Sequence, residues 1–144
     1  MKKFLPYLFS LIIGSVFGYL LFSHNEISIP VMKEEMNVTA FQLGVFNSID
    51  LAKEYVKKYD TAIIMQDGDV YRVYFSILSK EKTISKMRNY LDNQNISYYE
   101  KNITISDKGL IKALENYEDT MLEGTFVTLE SINKLIMESY GGSV

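Results

Sequence analysis

Hydrophobic and polar positions along the chain change period several times, and each change marks an element. From Phe4 to Ser23 there is no charged side chain at all. Beyond a mixed stretch, Val38 to Phe46 is rich in β-branched and aromatic residues and predicts a strand, with Asn47-Ser48 able to cap a following helix. In that helix Ala52, Tyr55, Val56 and Tyr59 recur at i, i+3, i+4, i+7 opposite Lys53, Glu54, Lys57 and Lys58. Thr61 to Gln66 reads as a second strand, Asp67-Gly68 as a primed hairpin turn, and Asp69 to Leu78 as the returning strand. Regular alternation in this third strand puts Tyr71, Val73 and Phe75 on one face and Val70, Arg72, Tyr74 and Ser76 on the other. Ser79 is the expected N-cap of a second helix with Ile84, Met87, Tyr90 and Leu91 inward, and Ile96 to Ile105 the expected fourth strand.

The order is strand, helix, strand, strand, helix, strand, so the expected fold class is α+β: a ferredoxin-like βαββαβ sandwich with both helices on one sheet face and the other face open. Two extra C-terminal helices follow. One carries Leu110, Ile111, Leu114, Tyr117 and Met121, the other Leu129, Ile132, Leu135, Ile136 and Tyr140, with Gly109 and Gly124 as punctuation. Periodicity leaves three places for them: packed on the sandwich, across its open face, or as a hairpin that meets a partner.

The uncharged N-terminal run predicts a transmembrane anchor. Phe4 to Phe22 is 19 residues, about 28 Å as a helix and close to the bilayer's hydrocarbon thickness. A cleaved signal would need small residues near the end of the run, where Leu20-Leu21-Phe22 stand instead. Lys2 and Lys3 precede the run and no basic residue follows it closely, so the N-terminus is expected in the cytoplasm and the rest of the chain on the extracytoplasmic side of the cell membrane. The expected organisation is residues 1–23 anchor with a short cytoplasmic start, 24–37 linker, 38–106 sandwich domain and 107–144 helical extension.

Composition narrows the chemistry. The 144 residues contain no Cys, no Trp and one His, which excludes disulfides, thiolate zinc sites, thiol nucleophiles and multi-histidine metal sites. The single His24 lies at the expected membrane boundary, and no nucleophile–base pair or phosphate-cradling glycine loop can be assembled around it or elsewhere. An enzyme is therefore not expected, and neither cofactor nor metal is implied. Net charge is −3, and the first 35 residues sum to zero, so the excess acid belongs to the exported part and speaks against nucleic acid as a partner. Asn37-Val38-Thr39, Asn95-Ile96-Ser97 and Asn102-Ile103-Thr104 match glycosylation sequons, but so short a pattern arises cheaply by chance.

Phe41-Gln42-Leu43-Gly44-Val45-Phe46, a helix containing Ala52, then Asp67-Gly68 and Tyr71-Arg72-Val73 together resemble the SPOR domain family, whose "Q-x-G-x-F" strand precedes such a helix and whose "Y-R-V" strand follows a hairpin. The resemblance covers about Val38 to Ile105. It implies a membrane-anchored, extracytoplasmic module that binds peptidoglycan glycan strands stripped of stem peptides, acting in cell division, sporulation or wall maintenance. It also implies that Gln42 and Arg72 contact the glycan on the open sheet face. Tyr74, and either Tyr98 or Tyr99, are expected as additional sheet-face contacts, since aromatic rings and hydrogen-bonding groups together suit sugars. Val45 and Ser76-Ile77-Leu78 depart from the family's pattern at the groove. They keep open the alternative of a scaffold that uses the same fold to hold division or sporulation proteins without glycan.

Overall fold

The computed structural model describes Ser15 and residues 34–141. All of the expected anchor but Ser15, and residues 24–33 of the expected linker, lie outside the described residues, among which no helix is long and apolar enough to cross a membrane. Residues 34–144 form a compact unit of their own.

This unit is α+β. Its elements run β1 (Met36–Phe46), α1 (Ile49–Val56), β2 (Ile63–Asp67), β3 (Val70–Leu78), α2 (Glu81–Asn93), β4 (Tyr99–Ile105), α3 (Lys108–Tyr117), α4 (Thr120–Glu123) and α5 (Phe126–Glu138). The strands form one antiparallel sheet in the order β2-β3-β1-β4, with the long β1 and β3 in the centre. β1 starts two residues earlier than expected because Met36 and Asn37 already pair with Ile105 and Thr104.

Local chemistry accounts for most boundaries. Ser48 caps α1 by accepting from the Asp50 N–H. Gly68 has φ 61 and Asp69 does not share that region, the pattern of a type II′ hairpin turn. At the end of α2, Asn95 is left-handed (φ 54), the Asn95 N–H donates to Asp92 O and the Ile96 N–H to Leu91 O, which is a Schellman closure with Asn in the usual glycine place. That closure draws Ile96 back over the helix, so β4 begins at Tyr99 instead of Ile96.

Two expectations are corrected. Ser79 does not cap α2. The cap position is Lys80, without a side-chain bond, and the job is done from elsewhere in the sequence: fully buried Glu118 accepts from the Ser79 and Lys80 N–H groups (2.9 and 2.7 Å) and from the Ser79 and Thr83 hydroxyls. Turning Glu118 inward also breaks the first expected C-terminal helix, so among the described residues three helices follow β4 where two were expected. Lys86 of α2 returns the contact, its ammonium donating to the Met121, Leu122 and Gly124 carbonyls at 2.7, 3.2 and 2.6 Å.

The C-terminal helices are part of the core. Leu110, Ile111, Leu114, Met121, Leu129, Ile136 and Met137 are buried in one cluster with Val38, Ala40, Phe41, Ile77, Leu78, Met87 and Leu91. Asn133, fully buried on α5, donates from Nδ2 to Phe75 O on β3 at 2.9 Å, filling a main-chain acceptor beyond the start of β2.

Candidate binding site on the sheet face

Register assigns the side chains to faces. Phe41 stands opposite Glu100, whose carboxylate is held by Arg88 of α2, so these residues mark the helix side. Val38, Ala40 and Gln42 on β1, Tyr99, Lys101, Ile103 and Ile105 on β4, Arg72, Tyr74 and Ile77 on β3, and Met65 and Asp67 on β2 belong to the other side.

That side is divided. Toward the start of β1, Val38, Ala40, Ile77 and Ile105 are buried with the residues of α3 and α5. Toward the hairpin, Asp67, Arg72, Gln42, Lys101 and Tyr99 keep solvent access and form a row across all four strands. Three interstrand spacings make that row about 14 Å long. Below it, Met65, Gln66, Ile103, Ile105, Asp107 and Tyr140 line a cavity of about 490 Å³.

Two bulges shape the row. Between Phe41↔Ser76 and Gln42↔Tyr74 the extra residue is Phe75, and between Gln42↔Tyr74 and Gly44↔Val73 it is Leu43. The second bulge brings Val45 to the face of Gln42, opposite Arg72, although the two are an odd three positions apart in sequence. The first breaks the expected alternation at Ser76, which stands opposite Phe41 on the helix side. Phe75 stacks on Tyr90 of α2 there, with ring centroids 6.1 Å apart. Gly44 sits where a Cβ would stand 2.9 Å from the Phe46 ring, so the motif glycine lets that ring fold back along its own strand.

The structure brings Gln42 and Arg72 together: Arg72 Nη1 donates to Gln42 Oε1 at 3.1 Å, and Arg72 Nε donates to Asp67 Oδ2 at 2.6 Å. Lys101 reaches across from β4 to within 3.8 Å of the same Asp67 oxygen. Asp67 is held below the usual carboxylate range, first by its hydrogen bond from Arg72, then by the charges of Arg72 and Lys101. Tyr99, opposite Gln42 on β4, is 67% exposed.

Of the other two tyrosines, Tyr74 is corrected, and Tyr98 is the one of the Tyr98–Tyr99 pair that turns away from the face. Tyr74 shares the face of Arg72 as expected but is only 3% exposed, and burial raises its hydroxyl pKa, so its ring is part of the core. Tyr98 precedes β4 and belongs to the helix side. It meets Phe41 edge-on at 5.4 Å and donates its hydroxyl to Asp92 of α2. Sequence reading missed Lys101, and it saw in Asp67 only a turn residue. Lys101 is two residues from Tyr99 on the same strand, and that spacing alone was the available signal.

The row can therefore present an exposed phenol, a primary amide, a guanidinium and an ammonium to a ligand lying flat on the sheet, with one carboxylate among two cations. Among the described residues no three His, Cys, Asp or Glu side chains converge as a metal site requires. These features define an α+β domain with a polar, half-covered sheet face. No protein-family model, curated protein or solved structure matches the chain.

Proposed function

We propose that the chain is a SPOR-like, ferredoxin-like module tethered by an N-terminal transmembrane helix, and that it binds denuded peptidoglycan glycan on the uncovered half of its sheet, outside the cytoplasm. The observation that carries this reading is the Gln42–Arg72 hydrogen bond beside exposed Tyr99. The two residues singled out by the motif resemblance are 30 positions apart in sequence, yet they adjoin on the accessible part of the face. Strand order β2-β3-β1-β4 with α1 and α2 on the opposite side supports the ferredoxin-like part of the reading.

The test is co-sedimentation of the full chain in detergent with peptidoglycan before and after amidase treatment. Binding should rise when stem peptides are removed, and Gln42→Ala with Arg72→Ala should lower it while the far-ultraviolet circular dichroism stays unchanged. Sedimentation no greater than that of an unrelated detergent-solubilised protein would sink the reading.

A second reading, a scaffold for another membrane protein, is favoured by one observation: α5 opens with Phe126 and Val127, 42% and 73% exposed. Cross-linking at Val127 in cells that traps no protein, with wall binding intact, would count against it.

A further inference from the structure

Asp67, Arg72 and Lys101 form a triad with two positive charges and one negative, so the row carries one net positive charge in a chain whose overall charge is −3. The triad lies in the open, with side-chain exposures of 56%, 23% and 36%, and both cations point at a single carboxylate. Resting on the glycan reading, we propose that Arg72 and Lys101 select a sugar unit bearing a carboxylate, and that Asp67 occupies the ligand carboxylate's place until the ligand arrives. The geometry supports this. A guanidinium binds a planar carboxylate through its forked N–H groups, and here Arg72 Nε already donates to Asp67 while Nη1 donates to Gln42.

Arg72 Nη2 has no protein partner among the described residues, and Lys101 is 3.8 Å from Asp67, beyond good hydrogen-bond length, so its ammonium can turn to another oxygen. A ligand carboxylate arriving from solvent therefore meets two cations that are oriented and only partly used. Removing stem peptides from peptidoglycan leaves such carboxylates on alternate sugars, which makes the acidic sugar the unit that distinguishes a stripped strand from a neutral polymer.

The test compares two probes made from one preparation: amidase-treated glycan strands, and the same strands with carboxylates converted to neutral amides by carbodiimide and ethanolamine. Affinities are measured for the full chain in detergent. Wild type should prefer the acidic strands. Lys101→Gln should lower, and Asp67→Asn raise, affinity for the acidic strands by about twofold to fivefold, as expected for exposed ion pairs, with little change for the neutral strands. Glu115→Gln, a charge removed from the exposed side of α3, controls for net charge and should leave both affinities near wild type. Asn at position 67 precedes Gly68 without touching the turn's left-handed position, so the hairpin is kept.

Equal affinity for both strands, unaffected by Lys101→Gln and Asp67→Asn, would overturn the acidic-sugar inference and leave glycan binding standing. Absence of binding to either strand would remove both. An effect of Glu115→Gln as large as that of Asp67→Asn would also overturn it, by assigning the effect to overall charge.

Discussion

Glu118 joins the C-terminal helices to the start of α2, and replacing it tests whether that junction holds the fold together. The carboxylate is fully buried and accepts from two main-chain N–H groups and two hydroxyls. In Glu118→Ala the Thr83 hydroxyl keeps its second acceptor, Lys80 O at 2.7 Å, so most of the loss comes from the Ser79 and Lys80 amides. Hydrogen bonds to a charged acceptor contribute about 1.5–3 kcal/mol each, which sets the expected loss of the two at about 3–6 kcal/mol. Glu118→Gln keeps the oxygen that serves the two amides and the Thr83 hydroxyl, while the Ser79 hydroxyl reverses to accept from its NH₂, so it should cost only about 1–2 kcal/mol. Urea unfolding of the full chain in detergent measures both, followed by circular dichroism and by tyrosine emission, which no tryptophan obscures. The reasoning is refuted if Ala lies within about 1 kcal/mol of wild type, or if Gln is as costly as Ala.

Gly109→Ala should destabilise, although an exposed helical Gly→Ala change ordinarily gains about 0.5–1 kcal/mol, because the new Cβ would stand 2.3 Å from the Ser139 carbonyl oxygen; a raised melting temperature would contradict that close approach. Gly68→Ala meets no atoms within 4 Å but must hold φ 61, so its cost should be about 1–2 kcal/mol from backbone conformation alone, with an unchanged urea m-value. Glu100 is held below the usual carboxylate range by its hydrogen bonds from Arg88. A lowered folded-state pKa contributes stability above the unfolded value, about 4.3, that fades as pH falls through the folded one. Arg88→Ala should therefore lower the melting temperature at pH 7 and lose that deficit in acid; a deficit that persists at low pH would assign it to packing.

The element order was legible because each period change in the sequence coincides with a physical requirement that is local: Ser48 capping its own helix, Gly68 taking the left-handed turn position, Ile84, Met87, Tyr90 and Leu91 lining one stripe. The adjacency of Gln42 and Arg72 was legible in part, since each lies on a strand whose face alternates. What escaped was set at long range. Strict alternation cannot reveal bulges at Leu43 and Phe75, because an extra residue depends on the partner strand's pairing. Ser79 looked like a cap because sequence neighbours cannot show a carboxylate arriving from position 118. Tyr74 read as a surface ring because nothing local to β3 tells that its ring joins a core completed by residues far downstream. Alternation left Tyr98 and Tyr99 as alternatives, and only the pairing of Gln42 with Tyr99 chooses between them.

Burying β1 and α5 in one core also orders events in time. While a chain is being synthesised, β1 to β4 emerge before the helices that complete this core. Until Leu129, Ile136 and Met137 arrive, the cluster they share with Val38, Ala40, Ile77 and Ile105 is incomplete, and apolar surface stays available to neighbours. A product cut short before Phe126 would thus be an unfinished, adhesive intermediate, and a folding assistant acting on this chain would have to bridge the interval until α5 is delivered.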